Sequence, residues 1–155
     1  MHIHRYERWW MIFGVTMLVV FMATIFVAAF ADNINPPTGS QTIDPTKVYS
    51  TPPFDHPGLH RLGDGRYEAY YVASVFMFTP AKLQIPVGAN VTFYVTSSDV
   101  VHGFEIAKTD VNAMVIPGWV NSASHTFRTP GTYLLICNEY CGIGHQTMYG
   151  TIEVK

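Results

Sequence analysis

Two thiols, an imidazole and a thioether fall within a twelve-residue segment near the C-terminus of the chain. The segment runs from Cys137 through Cys141 and His145 to Met148, with the spacing C-x3-C-x3-H-x2-M. Thiolate, imidazole and thioether groups are soft ligands, which favour copper over magnesium, calcium or manganese. The segment therefore predicts a site for a soft metal ion.

The metal-ligand segment is predicted to be a loop between two strands. It follows the β-type run at residues 132–136 and precedes another at residues 149–154, so rigid elements hold both of its ends. A further imidazole must come from elsewhere in the chain, and His102 is the best candidate. It lies in the segment S-S-D-V-V-H-G-F that begins at Ser97, and the neighbouring Gly103 permits a close approach of backbone. The other histidines are interpreted as residues that bind no metal: His2, His4, His56, His60 and His125.

Three other kinds of site use some of the same residues. Cys137 and Cys141 could form a disulfide, but a disulfide requires neither the histidine nor the methionine. Zinc accepts two cysteines and two histidines, but it has no use for the Met148 thioether. A mononuclear blue-copper site takes two histidines, one cysteine and a weak methionine, which leaves one thiol over. That extra thiolate, four residues after the first, suggests two coppers bridged by two sulfurs.

An uncharged apolar run near the N-terminus predicts one transmembrane helix over residues 9–31. A helix needs roughly 20 apolar residues to cross the hydrocarbon core, and this run has 23. Trp9 and Trp10 suit an interfacial anchor. The end of the run, Ala29-Phe30-Ala31, resembles a processing site, but the apolar region of a secretory signal is shorter, about 7–15 residues. An uncleaved anchor in the lipid bilayer is therefore expected.

The basic residues around this run predict its orientation. Arg5 and Arg8 precede it, and no further Lys or Arg occurs until Lys47. The positive-inside rule therefore places residues 1–8 in the cytoplasm and the rest on the outer, periplasmic side of the plasma membrane. The chain has a net charge of −2 and no basic stripe, which argues against nucleic acid as a partner.

The remainder of the chain divides into a linker and an all-β domain. Residues 32–66 are assigned to the linker, because Asp32–Pro57 is rich in Pro, Thr, Asn and Asp and lacks apolar periodicity. Residues 67–155 contain short β-type runs separated by Gly and Pro, which is typical of a two-sheet β-sandwich. Strands are predicted near residues 67–78, 82–85, 90–96, 101–106, 112–116, 122–128, 132–136 and 149–154.

The two motifs, C-N-E-Y-C-G-I-G-H-Q-T-M and S-S-D-V-V-H-G-F, resemble the binuclear copper (CuA) domain of cytochrome c oxidase subunit II. The resemblance extends over residues 67–155. The single anchor is most similar to B-type haem-copper oxidases, whereas the more familiar subunit II has two transmembrane helices. The resemblance implies a cupredoxin-like β-sandwich or barrel after one transmembrane helix. It also implies an electron-transfer subunit that accepts electrons from cytochrome c and passes them to haem in subunit I, which reduces oxygen. The same centre in a nitric oxide reductase is the alternative.

The resemblance also implies a ligand set. The expected metal ligands are His102, Cys137, Glu139, Cys141, His145 and Met148. The two thiolates would bridge both coppers, each imidazole would bind one copper, and the thioether and the Glu139 carbonyl would be weak ligands. The Glu139 carboxylate would bind a magnesium ion shared with subunit I. A membrane-tethered copper chaperone should instead expose an exchangeable mononuclear site, and the full ligand set argues against it. No catalytic acid, base or nucleophile is expected in this chain.

Three consecutive residues before the Thr79-Pro80 turn have two competing interpretations. Phe76 and Phe78 either fill the core of the sandwich, as strand aromatics usually do, or lie exposed beside the copper loop. Together with Met77, an exposed aromatic there would help the domain to accept electrons from its donor, as similar residues in B-type relatives suggest.

Overall fold

The computed structural model describes residues 4–31 and 38–155. The first part is one α-helix, α1 (Arg5–Ala31), whose apolar side chains are exposed on all sides rather than along one stripe. Its Arg5–Phe30 span is long and apolar enough to cross a membrane. The helix begins at Arg5, about one turn before the span predicted from the sequence. His2 and residues 32–37 lie outside the described part of the chain.

The second part, which includes residues 38–155, is a separate compact unit of two β-sheets. Its strands are β1 (Thr38–Thr42), β2 (Gly58–Gly63), β3 (Arg66–Ser74), β4 (Met77–Thr79), β5 (Lys82–Ile85), β6 (Asn90–Ser97), β7 (His102–Ile106), β8 (Asn112–Val115), β9 (Trp119–Thr126), β10 (Gly131–Ile136) and β11 (Tyr149–Val154). The six-stranded sheet has the order β1-β9-β6-β3-β2, with β4 paired to β3. The five-stranded sheet has the order β5-β11-β10-β7-β8. Two short 3-10 helices lie at Pro45–Ser50 and His145–Thr147.

The main core lies between the two sheets and is rich in aromatic side chains. Alternate residues of β6 and β7 point inward, which is why their apolar residues recur with a period of two. Phe104 of β7 lies at the centre, with ring centroids 5.1 Å from Tyr71, 5.7 Å from Phe78 and 5.8 Å from Phe93. Burying each large apolar side chain stabilises the fold by about 1.5–3 kcal/mol. This framework is the rigid part from which the metal-ligand loop extends.

The region predicted to be a linker is largely structured in its described part, residues 38–66. β1 pairs with β9 and β2 pairs with β3, so both strands extend the six-stranded sheet. Val48 and Phe54 are buried and form a second small cluster with Val72 and Val120. The sequence prediction of an extended tether was wrong here, because β1 has no apolar alternation and the buried residues are too widely spaced to show a period.

The other strand predictions differ from the structure mainly at their ends. The single strand predicted over residues 67–78 is two strands, β3 and β4, which form an antiparallel pair around a tight turn. β9 begins at Trp119, three residues before the predicted start. β5 and β11 have the predicted limits. The turn at residues 75–76 contains neither Gly nor Pro, so the sequence has no signal for the break between β3 and β4. Element boundaries are the least reliable part of such predictions.

Candidate metal site

The predicted ligands gather at one end of the sandwich. β7 begins at His102, and the loop of residues 137–148 joins the end of β10 to the start of β11. The Cys137 N–H donates to the Met148 carbonyl oxygen at 3.3 Å, so the two ends of the loop are tied together. A strand start and a closed loop therefore supply all the candidate side chains.

Sulfur and nitrogen atoms form a connected cluster within this end of the domain. The Sγ atoms of Cys137 and Cys141 are 3.7 Å apart, well beyond the ~2.05 Å of a disulfide, and both cysteines are free. His102 Nδ1 lies 3.9 Å from Cys137 Sγ, and these two residues with Cys141 place their ligand atoms within 4.8 Å of one another. His145 Nδ1 and Met148 Sδ are each 3.7 Å from Cys141 Sγ. The two thiols thus lie centrally, with an imidazole on either side.

The backbone carbonyl of Glu139 also faces the cluster. The Cys137 thiol donates to this oxygen at 3.1 Å, whereas the Glu139 side chain is exposed. All six residues named from the sequence are therefore found at one site, with Glu139 contributing its main chain. The donor set of two thiols, two imidazoles, a thioether and a carbonyl is soft and uncharged apart from the thiolates, and it fits copper.

Burial raises the pKa of the Cys141 thiol. Desolvation is the largest cause and the interaction with the neighbouring Cys137 is the next, and together they raise the pKa of Cys141 to about 11. A metal ion held by this sulfur would therefore displace a proton from Cys141 near neutral pH, because the thiolate is the form that binds metals.

Asp99 holds the buried His102 ring in one orientation. His102 Nε2 donates to Asp99 Oδ1 at 2.9 Å, which leaves Nδ1 directed toward Cys137. The same carboxylate accepts from the backbone N–H groups of Val75 at 2.7 Å and Val100 at 2.6 Å. Burial alone would raise the pKa of Asp99, but these hydrogen bonds outweigh it and hold the pKa below its usual range. The sequence analysis did not identify Asp99, although its position three residues before the candidate histidine fits a ligand-orienting carboxylate.

The two phenylalanines before the Thr79-Pro80 turn have different environments. Phe78 is 2% exposed and packs edge-on against Phe104 in the core. Phe76 is 36% exposed, and its ring lies against the loop glycines: a Cβ added at Gly144 would be 2.6 Å from Phe76 Cγ, and one at Gly142 would be 3.0 Å from Cε1. Phe78 therefore fills the core, and Phe76 lies exposed beside the loop. Glycine is required at positions 142 and 144 because the Phe76 ring covers both.

The remaining histidines within the described chain have other partners. His125 Nδ1 lies 2.5 Å from Asp110 Oδ1, and His60 Nε2 contacts the carbonyl oxygen of His56 at 2.9 Å. His4 packs against Tyr6 at the start of α1. These contacts are with residues that the sequence analysis did not assign to the metal site.

Comparison with known proteins agrees with this geometry. The family model described as cytochrome c oxidase subunit II, periplasmic domain, matches residues 70–155. A cytochrome c oxidase subunit 2 of Thermus thermophilus is 40% identical over 154 residues, which cover 97% of this chain and 92% of that protein. The chain belongs to the cytochrome c oxidase subunit II family.

Solved structures support the same assignment. A chain of a heme-copper terminal oxidase dimer superimposes with a TM-score of 0.83 at 34% identity, covering 97% of this chain and all of that one. The periplasmic domain of cytochrome oxidase subunit II from Bradyrhizobium japonicum matches 57% of this chain and 83% of its own, with a TM-score of 0.53 and 20% identity, which shows the shared fold. The predictions of a cupredoxin-like fold and of a copper-domain subunit of a respiratory haem-copper oxidase are thus confirmed. The B-type assignment stays a prediction.

Proposed function

We propose that this subunit accepts single electrons from a soluble cytochrome c, or a similar donor, at a binuclear copper centre and passes them to haem in subunit I. Oxygen is then reduced in subunit I. The observation that carries this proposal is the pair of free thiols 3.7 Å apart, with an imidazole on either side. A mononuclear site would use only one of the two sulfurs. The relatives named above are oxidase subunits, which favours oxygen over nitric oxide as the final acceptor.

The proposed copper ligands are the six residues of the cluster: His102, Cys137, Glu139 through its carbonyl, Cys141, His145 and Met148. The thiolates of Cys137 and Cys141 would hold both coppers, and the centre would supply one-electron chemistry in which the charge change on reduction is spread over two metals. The protein contributes rigidity and exclusion of water. His102, Cys137, Cys141 and Met148 are buried, and both ends of the loop continue strands of one sheet. Ligands held in this way need little rearrangement on electron transfer.

The surface around the loop suits a donor that docks mainly through apolar contact. Ile143 is 90% exposed, Tyr140 is 72% exposed, and Phe76 and Met77 lie on the neighbouring turn. The net charge of the chain is only −2, so long-range electrostatic steering is weak. Phe76 lies between solvent and the loop glycines beside His145, which makes it the residue that we assign to contact with the donor.

The membrane arrangement is part of the same proposal. α1 would anchor the subunit in the plasma membrane, with Arg5 and Arg8 at the cytoplasmic side and the copper domain on the periplasmic side. The exposed Glu139 carboxylate would bind magnesium together with ligands from subunit I. Glu139→Gln should then remove the magnesium from the assembled oxidase and leave the copper spectrum unchanged, because copper contacts the backbone. Manganese substitution followed by EPR measures this, and retention of the ion would contradict the assignment.

The copper centre is tested directly on the full-length chain in detergent, loaded with copper. We expect two coppers per chain, a purple colour and a seven-line EPR hyperfine pattern in the mixed-valence state. One copper per chain with a four-line pattern would show that the site is mononuclear. Oxygen consumption by the assembled complex, driven by reduced cytochrome c, then tests electron delivery to subunit I.

A further inference from the structure

The first two residues after Cys137 lie directly on β7. A Cβ at Gly103 would overlap Asn138 Oδ1 and would be 2.7 Å from the Asn138 backbone nitrogen and 2.8 Å from that of Glu139. The Gly103 N–H also points to Cys137 Sγ at 3.4 Å. The strand that begins at His102 is thus in contact with the segment that carries the first thiol and the Glu139 carbonyl.

The side chain of Asn138 fixes this segment to two strands at once. Its Nδ2 donates to Glu105 Oε2 at 2.9 Å and to Asn112 Oδ1 at 3.1 Å, so both amide hydrogens are used. Glu105 and Asn112 are directly opposite each other in the antiparallel pair of β7 and β8. A small pocket of about 110 Å³ beside this contact is lined by Asn138, Glu139 and residues of β7 and β8. The amide therefore bridges a cross-strand pair rather than forming a local turn.

We propose that Asn138 is a positioning residue for the copper site. By holding the Cys137–Glu139 segment on the Glu105–Asn112 pair, it sets how closely the Cys137 sulfur approaches the Gly103 N–H and the His102 ring. It also holds the Glu139 carbonyl toward Cys137. The proposal rests on the proposed function in that copper is the metal used to measure its effect. The β10–β7 pairing ends at Ile136 and Glu105, and the Gly103 N–H reaches only the Cys137 sulfur. Among the described contacts of this segment, the Asn138 amide is therefore the side chain that ties it to both β7 and β8.

Removing the amide should loosen one side of the site. In Asn138→Ala, the segment loses its side-chain bridge to Glu105 of β7 and Asn112 of β8, and the hydrogen bond from the Gly103 N–H to the Cys137 sulfur weakens. A hydrogen bond to a ligating thiolate reduces its electron donation, so its loss should lower the reduction potential. Loss of a residue that orients metal ligands typically costs about 10–100-fold in metal affinity. We expect a loss of about tenfold in copper affinity, together with a changed EPR hyperfine pattern.

An introduced charge with a rescuing second substitution separates positioning from general stability. Asn138→Asp places a carboxylate against the Glu105 carboxylate, so it should weaken copper binding at least as much as the alanine variant. In the double variant Asn138→Asp with Glu105→Gln, the new amide donates to the new carboxylate and the bridge is restored with its polarity reversed. The copper spectrum and the potential should then return toward those of wild type.

The experiment uses the full-length chain in detergent, loaded with copper, with chelator competition, EPR and redox titration as readouts. Asn90→Ala is the matched control, because Asn90 Nδ2 also bridges two strands, donating to Thr126 Oγ1 at 2.9 Å. The control should lower thermal stability without changing the copper spectrum. An unchanged spectrum, potential and affinity in Asn138→Ala would overturn the proposal. If both single variants fail to fold, recovery of a wild-type spectrum in the double variant supports it and failure to recover overturns it. A wild-type chain that does not bind two coppers would refute the proposed function instead.

Discussion

Replacing Asp99 by asparagine keeps the size of the side chain and removes its charge. The carboxylate accepts hydrogen bonds from three groups: the N–H groups of Val75 and Val100, and His102 Nε2. Asparagine has a single oxygen acceptor, so its NH2 group must face at least one of these donors. If the NH2 group takes the place of Oδ2, it faces the Val75 N–H, which then loses its acceptor. If it takes the place of Oδ1, it faces both the Val100 N–H and His102 Nε2.

The expected cost follows from the loss of one charge-assisted hydrogen bond and the weakening of the others. A hydrogen bond to a charged group contributes about 1.5–3 kcal/mol, and an unpaired donor adds a desolvation penalty. We expect Asp99→Asn to lower the free energy of unfolding by about 2–3 kcal/mol. For a domain of this size, that corresponds to a fall in Tm of roughly 10 °C. Because His102 loses its fixed orientation, the copper EPR spectrum should change as well.

The pH dependence gives a second check with a definite sign. The pKa of Asp99 is lowered on folding, so its stabilisation is fully present above the ordinary value of 3.8 and is lost as the pH falls through the lower folded value. The difference between wild type and Asp99→Asn should therefore be constant near neutral pH and should shrink below about pH 4.

The assay is thermal and chemical unfolding of the reduced, metal-free chain, followed by circular dichroism. Asp110→Asn is the matched control, because Asp110 also pairs with a histidine, His125, but that pair is partly exposed whereas His102 is fully buried. An exposed pair contributes about 0–1 kcal/mol, so the control should have a small effect. If Asp99→Asn costs no more than Asp110→Asn, Asp99 does not orient His102 in the way argued above.

Three further outcomes are expected if the site is the binuclear copper centre proposed above. Met148→Leu should keep both coppers and change the reduction potential, because a weak thioether ligand affects the potential more than the affinity. Loss of copper from this variant would show that the thioether is a principal ligand. Cys137→Ser should abolish the shared-electron EPR pattern. Copper affinity, measured by chelator competition, should rise with pH and binding should release protons, because the pKa of the Cys141 thiol is about 11; an affinity independent of pH would contradict this. In stopped-flow reduction by the native cytochrome c, Phe76→Ala should slow electron acceptance and salt should have little effect, whereas a steep fall in rate with ionic strength would indicate charged docking.

The parts of the structure that could be predicted from the sequence are those whose ligand spacing or apolar alternation lies within one short segment. The spacing from Cys137 to Met148 and the alternation in β6 and β7 are readable from short windows, and both are found in the structure. His102 lies 35 residues from the first cysteine, yet its place beside Gly103 made it the best candidate, and the structure puts its Nδ1 3.9 Å from Cys137 Sγ; its role as a ligand stays a prediction. Single-sequence patterns work here because each local preference agrees with the fold.

Features that depend on pairing between distant segments could not be predicted. β1 is recognisable only through its partner β9, since T-G-S-Q-T has no alternating apolar residues. The roles of Asp99 and Asn138 depend on which strands lie beside the loop, and polar residues of these types are common in turns for other reasons. The division of Phe76 and Phe78 between surface and core likewise required the position of the turn at residues 75–76, which splits one predicted strand into two.

β7 is the element that relates the separate parts of the site to one another. His102 at its start is a proposed ligand, Gly103 contacts the thiol-bearing segment, and Glu105 accepts from Asn138. All three lie within four consecutive residues of one strand, whose core side chains, Phe104 and Ile106, are fully buried. A strand fixed by such packing cannot shift without cost to the core, so the distance between its histidine and the loop thiols is set by the fold itself. Core substitutions at Phe104 should therefore perturb the spectrum of the proposed copper centre although that side chain is not a proposed ligand, because they would change how the sandwich packs beneath it.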